Sequence, residues 1–112
     1  EELEKLILQE KWYLIPELSL KSLSDELNIS DKKLSYLLNQ YMNVSFYDYI
    51  NSLRVEEVKQ KILDPSYAQY TLLAIALECG FNSKTSFNRT FQRFEGITPS
   101  KYKTLNFKKQ IS

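Results

Sequence analysis

Five polar side chains lie on one face of a predicted helix in the second half of the chain, and their types suit hydrogen bonding to nucleic-acid bases. The opposite face is apolar, because Phe87, Phe91 and Phe94 recur at i, i+4 and i+7. We expect those phenylalanines to bury one side of the helix and to leave its other side in solvent. The five candidate base-contacting residues are Lys84, Thr85, Asn88, Arg89 and Gln92.

A second helix must precede this one at a tight turn. Residues 72–77 form a compact apolar stretch that Gly80 ends, since glycine adopts the left-handed backbone found at helix ends. Ser83 can then cap the polar helix. A third helix is predicted to begin at Pro99, with Tyr102 packing back onto the pair.

At these positions the chain resembles the second helix-turn-helix of the AraC/XylS family of bacterial transcription regulators. The resemblance implies a DNA-binding domain with two such motifs, and it covers roughly residues 15–103. The residue types that carry it stand at family spacing at Ile75, Ala76, Gly80, Phe81, Ser86, Phe87, Arg89, Phe91, Gln92, Gly96, Thr98, Pro99 and Tyr102.

The first half of the chain repeats the same plan. Residues 18–41 align with the second motif at an offset of 52 before the turn and 53 after it. Asn28 stands where the second motif has Gly80, and asparagine also tolerates the left-handed region. Leu34 and Leu38 take the place of buried phenylalanines. The residues expected to face away from them are Lys32, Ser35, Tyr36 and Asn39.

A long helix is predicted to connect the two motifs. Ser45 and Asp48 form a capping pattern before residues 46–63, and Pro65 follows their end. The stretch resembles the linker helix of the family, including Arg54. Its length of roughly 27 Å is less than the ~34 Å between successive major-groove faces of DNA. A further helix is predicted over residues 1–13, with Leu3 among its core residues.

The amino-acid composition excludes several kinds of catalytic and metal-binding site. The 112 residues contain no histidine and one cysteine, Cys79, so a His-dependent triad, a zinc site or an internal disulfide is excluded and no cofactor is expected. Residues 1–63 hold 8 basic against 11 acidic side chains, whereas residues 64–112 hold 7 against 3, which concentrates positive charge on the second half. Lys101, Lys103, Lys108 and Lys109 form a basic end that is either solvated or in contact with phosphates.

We therefore expect an all-α fold of about seven helices in one AraC-type domain. The predicted parts are a first helix-turn-helix subdomain over residues 1–44, a linker helix over residues 45–63 and a second subdomain over residues 64–112. No apolar run approaches the ~18 residues of a membrane span. We expect a cytoplasmic protein, or the cytoplasmic part of a membrane-anchored sensor.

The expected function is sequence-specific binding of double-stranded promoter DNA, with one recognition helix in each of two successive major grooves. The only methionine is Met42, which favours a fragment of a longer regulator with a separate sensor domain. RNA polymerase is a further candidate partner, and no small-molecule pocket is expected. The alternative is a protein-interaction module whose acidic surface includes Glu56 and Glu57. We expect no enzyme, because adjacent carboxylates such as these point in different directions.

Overall fold

Serine and threonine side chains cap the N-termini of most helices in this protein. Five serines and threonines outside the last helix each accept a hydrogen bond from the backbone amide three residues ahead, at distances of 3.0 to 3.2 Å. Each cap satisfies an amide that the first helical turn leaves unpaired. The capping residues are Ser19, Ser30, Ser45, Thr71 and Ser83.

The computed structural model describes the backbone of residues 2–111 and the side chains of residues 3–40 and 42–106. All regular structure in this part of the chain is helical, as the sequence predicted. The α-helices are α1 (Glu2–Glu4), α2 (Leu20–Leu27), α3 (Asp31–Met42), α4 (Phe46–Leu63), α5 (Leu72–Glu78), α6 (Lys84–Glu95) and α7 (Pro99–Ile111).

Two residues with left-handed backbone make the turns of the two helix-turn-helix units. Asn28 ends α2 at φ 59°, and Gly80 follows α5 at φ 99°. The two turns therefore share a conformation that asparagine and glycine tolerate better than other residues. This agreement confirms the predicted internal repeat of α2 and α3 by α5 and α6.

The apolar side chains form two clusters, and α4 belongs to both. Its first half supplies Phe46 and Ile50 to the first cluster, and its second half supplies Val55 and Val58 to the second. Leu14 packs against both clusters. The molecule is elongated accordingly, with principal extents of 49 × 25 × 24 Å.

The predicted single helix over residues 1–13 is wrong. After α1, Lys5–Gln9 forms a π-helix, and Lys11 then takes the left-handed conformation at φ 55°. A short 3-10 helix, Trp12–Leu14, follows this break. The break turns the chain so that Tyr13 is buried against α4, while Leu3 is buried as predicted. The start of the predicted helix, Glu1, lies outside the described residues.

The connecting helix has the predicted bounds, but two core predictions need correction. The sequence pattern predicts an apolar stripe of Tyr49, Ile50, Leu53, Val58 and Ile62 on this helix. Val55 is also buried, because α4 packs on different sides in its two halves. Phe94 is 37% exposed and so does not continue the buried row of Phe87 and Phe91. Its ring lies 5.1 Å from the guanidinium of Arg93 instead.

Candidate nucleic-acid interface

The second polar face is present on α6. Buried Phe87 and Phe91 fix the rotation of this helix on the second cluster. Tyr102 supports them from α7, with its ring 5.5 Å from that of Phe91. The rotation exposes four of the five predicted contact residues and leaves Asn88 half-buried. The exposed four are Lys84, Thr85, Arg89 and Gln92.

The first polar face lies on α3. Leu34 and Leu38 are almost completely buried and hold α3 on the first cluster. Three of the four predicted contact residues are exposed, namely Lys32, Tyr36 and Asn39, and Ser35 is half-buried. Tyr36 is 61% exposed, although aromatic side chains are more often at least partly buried.

The nine predicted contact residues have no hydrogen bond or ion pair from their side chains to the described part of the chain. Their polar groups are therefore available to a ligand. Two of them also border a groove of about 300 Å³ between α5, α6 and the start of α7. The residues that line it are Thr71, Leu72, Leu73, Lys84, Phe87, Asn88 and Ser100.

The two units begin their second helices differently. In the first unit the buried hydroxyl of Ser24 donates a hydrogen bond to the carboxylate of Asp31, the first residue of α3. At the equivalent positions the second unit has Ala76 and Lys84. The first unit therefore has an acidic residue hydrogen-bonded to a buried serine where the second unit has an exposed cation.

Ion pairs attach the end of α6 to α4. Arg93 donates a hydrogen bond to Asp48 at 2.8 Å, and the Arg93 guanidinium holds the pKa of that carboxyl below its usual value. Lys59 lies 3.2 Å from Glu95 and 2.8 Å from Glu56. These contacts hold the C-terminal end of α6 against α4, and the sequence did not predict them.

The acidic surface suggested for a protein partner is only half present. Glu56 is exposed, but Glu57 is 6% exposed and is enclosed by donors. Its carboxylate accepts hydrogen bonds from the Tyr13 phenol and the Lys61 ammonium, each at 2.9 Å. The interpretation of Glu57 as a partner-facing residue is therefore wrong. A Glu and a Lys four residues apart on one helix, with the Glu next to a valine, is the sequence signal that could have indicated this pair.

Burial opposes the charge of Glu57, but its partners outweigh that cost. Desolvation acts to raise the pKa of the Glu57 carboxyl, whereas the hydrogen bonds from Lys61 and Tyr13 and the nearby charge of Lys11 lower it. The resulting pKa lies below its ordinary value. Burial and the hydrogen bond to Glu57 raise the pKa of the Tyr13 phenol. At neutral pH the cluster therefore contains a carboxylate and a neutral phenol.

The described residues give no indication of a metal site, a reactive cysteine or a membrane-spanning helix. No three of their histidine, cysteine, aspartate and glutamate side chains are arranged to hold a metal ion. Burial raises the pKa of the Cys79 thiol to about 12, so this cysteine is a small buried side chain and not a nucleophile. Among the described helices, none combines the length and hydropathy needed to cross a membrane.

A helix-turn-helix domain family matches residues 23–104, which are most of the chain. The protein belongs to this family, in its AraC-type branch of DNA-binding transcription regulators. The family is one of regulators and not a class of enzymes. The resemblance found at the level of residues is thereby confirmed.

Two relatives show how much of a protein the similarity covers. An uncharacterised HTH-type transcriptional regulator of Staphylococcus aureus (strain COL) is 38% identical over 87 residues, or 78% of this chain and 11% of that protein. The probable transcriptional regulator LumQ of Photobacterium leiognathi is 28% identical over 90 residues, or 80% of this chain and 35% of that protein. The chain thus spans about a tenth of the staphylococcal relatives' length.

Solved structures share the fold. The C-terminal domain of the two-component response regulator YesN of Fusobacterium nucleatum is 28% identical and superposes with a TM-score of 0.76, covering 92% of this chain and 99% of that one. The C-terminal domain of AraT, a response regulator of Geobacillus stearothermophilus, has a TM-score of 0.83 at 23% identity, covering 93% and 82% of the two chains.

Proposed function

We propose that this domain binds one promoter site as a monomer, with α3 and α6 in successive major grooves of the same duplex. The observation that carries the proposal is the presence of two exposed polar helix faces on repeated units that one 18-residue helix connects. One rigid connector limits both recognition helices to a single relative position. The proposed contact residues are Lys32, Ser35, Tyr36, Asn39, Lys84, Thr85, Asn88, Arg89 and Gln92.

Charge supports unequal roles for the two faces. Lys84 lies in the first turn of α6, where a cation is unfavourable for the helix dipole. Such a residue adds to the attraction of the helix start for phosphate. The first turn of α3 instead contains Asp31, whose carboxylate is paired with Ser24. We therefore propose that the second unit supplies most of the attraction to DNA.

The wider setting is part of the same proposal. The residues form a first subdomain over 1–44, a linker over 45–63 and a second subdomain over 64–112. A sensor region elsewhere in a longer protein would control DNA binding, as the small share of the staphylococcal relatives suggests. Contact with RNA polymerase at the promoter would then connect binding to transcription. A regulator of this type acts in the bacterial cytoplasm, where the DNA is.

Selection of sites from random duplex, followed by hydroxyl-radical footprinting, tests the proposal. We expect one asymmetric site with two protected stretches about one helical turn apart. The Lys84→Ala and Arg89→Ala double variant should lose protection over the second stretch, while Glu26→Gln, on exposed α2, should behave as the wild type. A palindromic site would indicate a dimer, and the absence of any duplex binding at low salt would favour the protein-interaction alternative.

A further inference from the structure

A buried polar cluster lies at the centre of the molecule, between the two helix-turn-helix units. Its acceptor is Glu57 of α4, which is 6% exposed. Three polar groups from two parts of the chain surround it: the Tyr13 phenol and the Lys61 ammonium each donate a hydrogen bond at 2.9 Å, and the Lys11 ammonium forms a longer ion pair at 3.6 Å. Tyr13 and Lys11 belong to the segment before α2, more than forty residues away from Glu57 in sequence. The cluster thus ties the start of the chain to the middle of α4.

Arg54 makes a second attachment to the same segment. Its Nε donates to the carbonyl of Tyr13 at 2.6 Å, and its Nη2 donates to the carbonyl of Ile15 at 2.8 Å. Arg54 and Glu57 are three residues apart in α4 and therefore lie on neighbouring parts of one helix face. Together they hold the 3-10 segment Trp12–Leu14 by its backbone and by a buried side chain.

The second unit meets this attachment directly. Gly80, at the turn between α5 and α6, lies so close that a Cβ on it would be 2.6 Å from Nε of Arg54 and 2.6 Å from the carbonyl oxygen of Tyr13. Leu14 adds apolar contact to both clusters. Three parts of the fold therefore meet at one point: the segment that packs on the first unit, the middle of α4 and the turn of the second unit.

We propose that Arg54 and Glu57 are positioning residues that set the angle between the two helix-turn-helix units, and with it the number of base pairs between the two half-sites. The idea rests on the proposed binding of α3 and α6 to one duplex. Neither residue needs to touch DNA. They act through the segment Trp12–Leu14 and the turn at Gly80, against which the second unit is seated.

Because DNA is helical, the angle between the two recognition helices determines which spacing between half-sites the protein can bind. Adding one base pair between two half-sites rotates one of them by about 34° around the duplex axis and moves it by about 3.4 Å. A protein with a fixed angle between its recognition helices accepts one spacing and rejects its neighbours. In a protein with a loosened junction, a wrong spacing lowers the binding affinity less, and the correct spacing raises it less. The junction thus determines a form of specificity that base contacts alone do not supply.

Three variants loosen the junction in different ways. Glu57→Gln removes the charge that Lys11 and Lys61 face, and Tyr13→Phe removes one donor and leaves the ring in place. Arg54→Lys keeps a positive charge but loses the planar fork that reaches two carbonyls. Glu26→Gln is the charge-matched control on exposed α2. Circular dichroism of each variant identifies those that stay folded at the assay temperature, and these are used.

The first test measures affinity for a selected site with the natural spacing, for sites with one base pair added or removed, and for sites with one half scrambled. In the folded junction variants we expect the preference for the natural spacing to fall about fivefold to tenfold. The loss caused by scrambling either half should stay within about twofold of wild type. A wild-type spacing preference in every folded variant would overturn the proposal, and so would an equal loss at all spacings.

A second test needs no DNA and separates the junction from the proposed function. Spin labels are attached at Glu26→Cys on α2 and Asn82→Cys in the second turn, both exposed positions, while buried Cys79 stays unlabelled. Double electron–electron resonance then reports the distance between the units. We expect Glu57→Gln or Tyr13→Phe to broaden or shift the distribution, and an unchanged distribution in both refutes the positioning role. If the wild type shows no two-part DNA site, the proposed function fails. The distance measurement then tests by itself whether the junction sets the angle between the two units.

Discussion

The guanidinium of Arg93 lies 2.8 Å from the carboxylate of Asp48, so one of the two arginines of α6 is paired within the protein. The other, Arg89, is exposed and has no side-chain partner among the described residues. The two arginines are one helical turn apart and lie on the same side of α6, but only Arg93 is paired with a carboxylate of α4. Arg93 orients the helix against α4, and Arg89 is left for a ligand.

We predict that Arg89 reads a guanine, because its planar fork matches the two acceptors of that base in the major groove. Arg89→Ala should weaken specific binding by about 1 to 3 kcal/mol and relax the preference at one base position. Lys21→Ala is the control, since it removes one positive charge at an exposed position of α2 that is not a proposed base contact. Site selection with both variants measures this, and an unchanged preferred sequence for Arg89→Ala would contradict the prediction.

The two units should contribute unequally to sequence discrimination. Tyr36 cannot make the bidentate contact that arginine makes to guanine, but it can donate to a phosphate or lie against a thymine methyl. Tyr36→Ala should therefore reduce affinity similarly for matched and mismatched first half-sites. The double variant Lys84→Ala with Arg89→Ala should abolish the difference between matched and mismatched second half-sites.

This asymmetry is measured as the binding affinity for operators in which the sequence under one unit at a time is scrambled. Equal costs of scrambling under α3 and under α6, together with loss of the first cost in Tyr36→Ala, would show that the asymmetry is absent.

The bound DNA should be bent. The helix α4 contains 18 residues, and at ~1.5 Å per residue it is shorter than the ~34 Å between successive major-groove faces. The duplex should therefore have to curve toward the protein, unless one recognition helix sits imperfectly in its groove. Circular-permutation gel shifts should reveal the bend. Straight DNA with both grooves protected is the result that rules it out.

Acid should destabilise the protein partly through Glu57. The pKa of this carboxyl is lower in the folded protein than its ordinary value of 4.5. Its stabilising contribution is therefore complete above the unfolded pKa and is lost as the pH falls through the lower folded pKa. We expect the free energy of unfolding of Glu57→Gln to depend less on pH than that of the wild type between roughly pH 5 and pH 3.

Urea unfolding at several pH values gives this comparison, with Glu26→Gln as the control for loss of one exposed carboxylate. Parallel pH profiles for the wild type and Glu57→Gln would mean that the buried carboxylate is not linked to stability in this range.

The two glycines of the chain should differ in their tolerance of alanine. Gly96 has φ 80° and nothing within 4 Å of an added Cβ, so Gly96→Ala should cost about 1 to 2 kcal/mol for the backbone conformation alone. Gly80→Ala adds a collision with the Tyr13 carbonyl to a similar backbone cost, for a total of about 2 to 5 kcal/mol. Thermal or urea unfolding measures both, and equal losses would show that the junction has room for a methyl group.

Local signals predicted the helices and their ends well. Ser45 and Asn28 act through atoms within a few residues of themselves, so the sequence around them contains the relevant information. The phenylalanine row identified the buried side of α6 except at Phe94, where the helix passes the edge of the second cluster. The polar face follows from that row, which is why its residues could be proposed before the fold was known.

Long-range attachments could not be predicted in the same way. Tyr13 and Glu57 are separated by 44 positions, and neither residue alone indicates the other. The left-handed break at Lys11 that brings Tyr13 to α4 has no glycine or proline to signal it. The burial of Glu57 depends on this tertiary contact, so a carboxylate that the helix pattern placed in solvent lies inside the protein.

Leu14 packs against both apolar clusters, and α4 supplies side chains to each. Neither unit can therefore melt without exposing surface that the other also covers, which couples their folding into one cooperative event. Deletion of either unit should therefore expose apolar side chains of α4 and Leu14 that the intact fold covers.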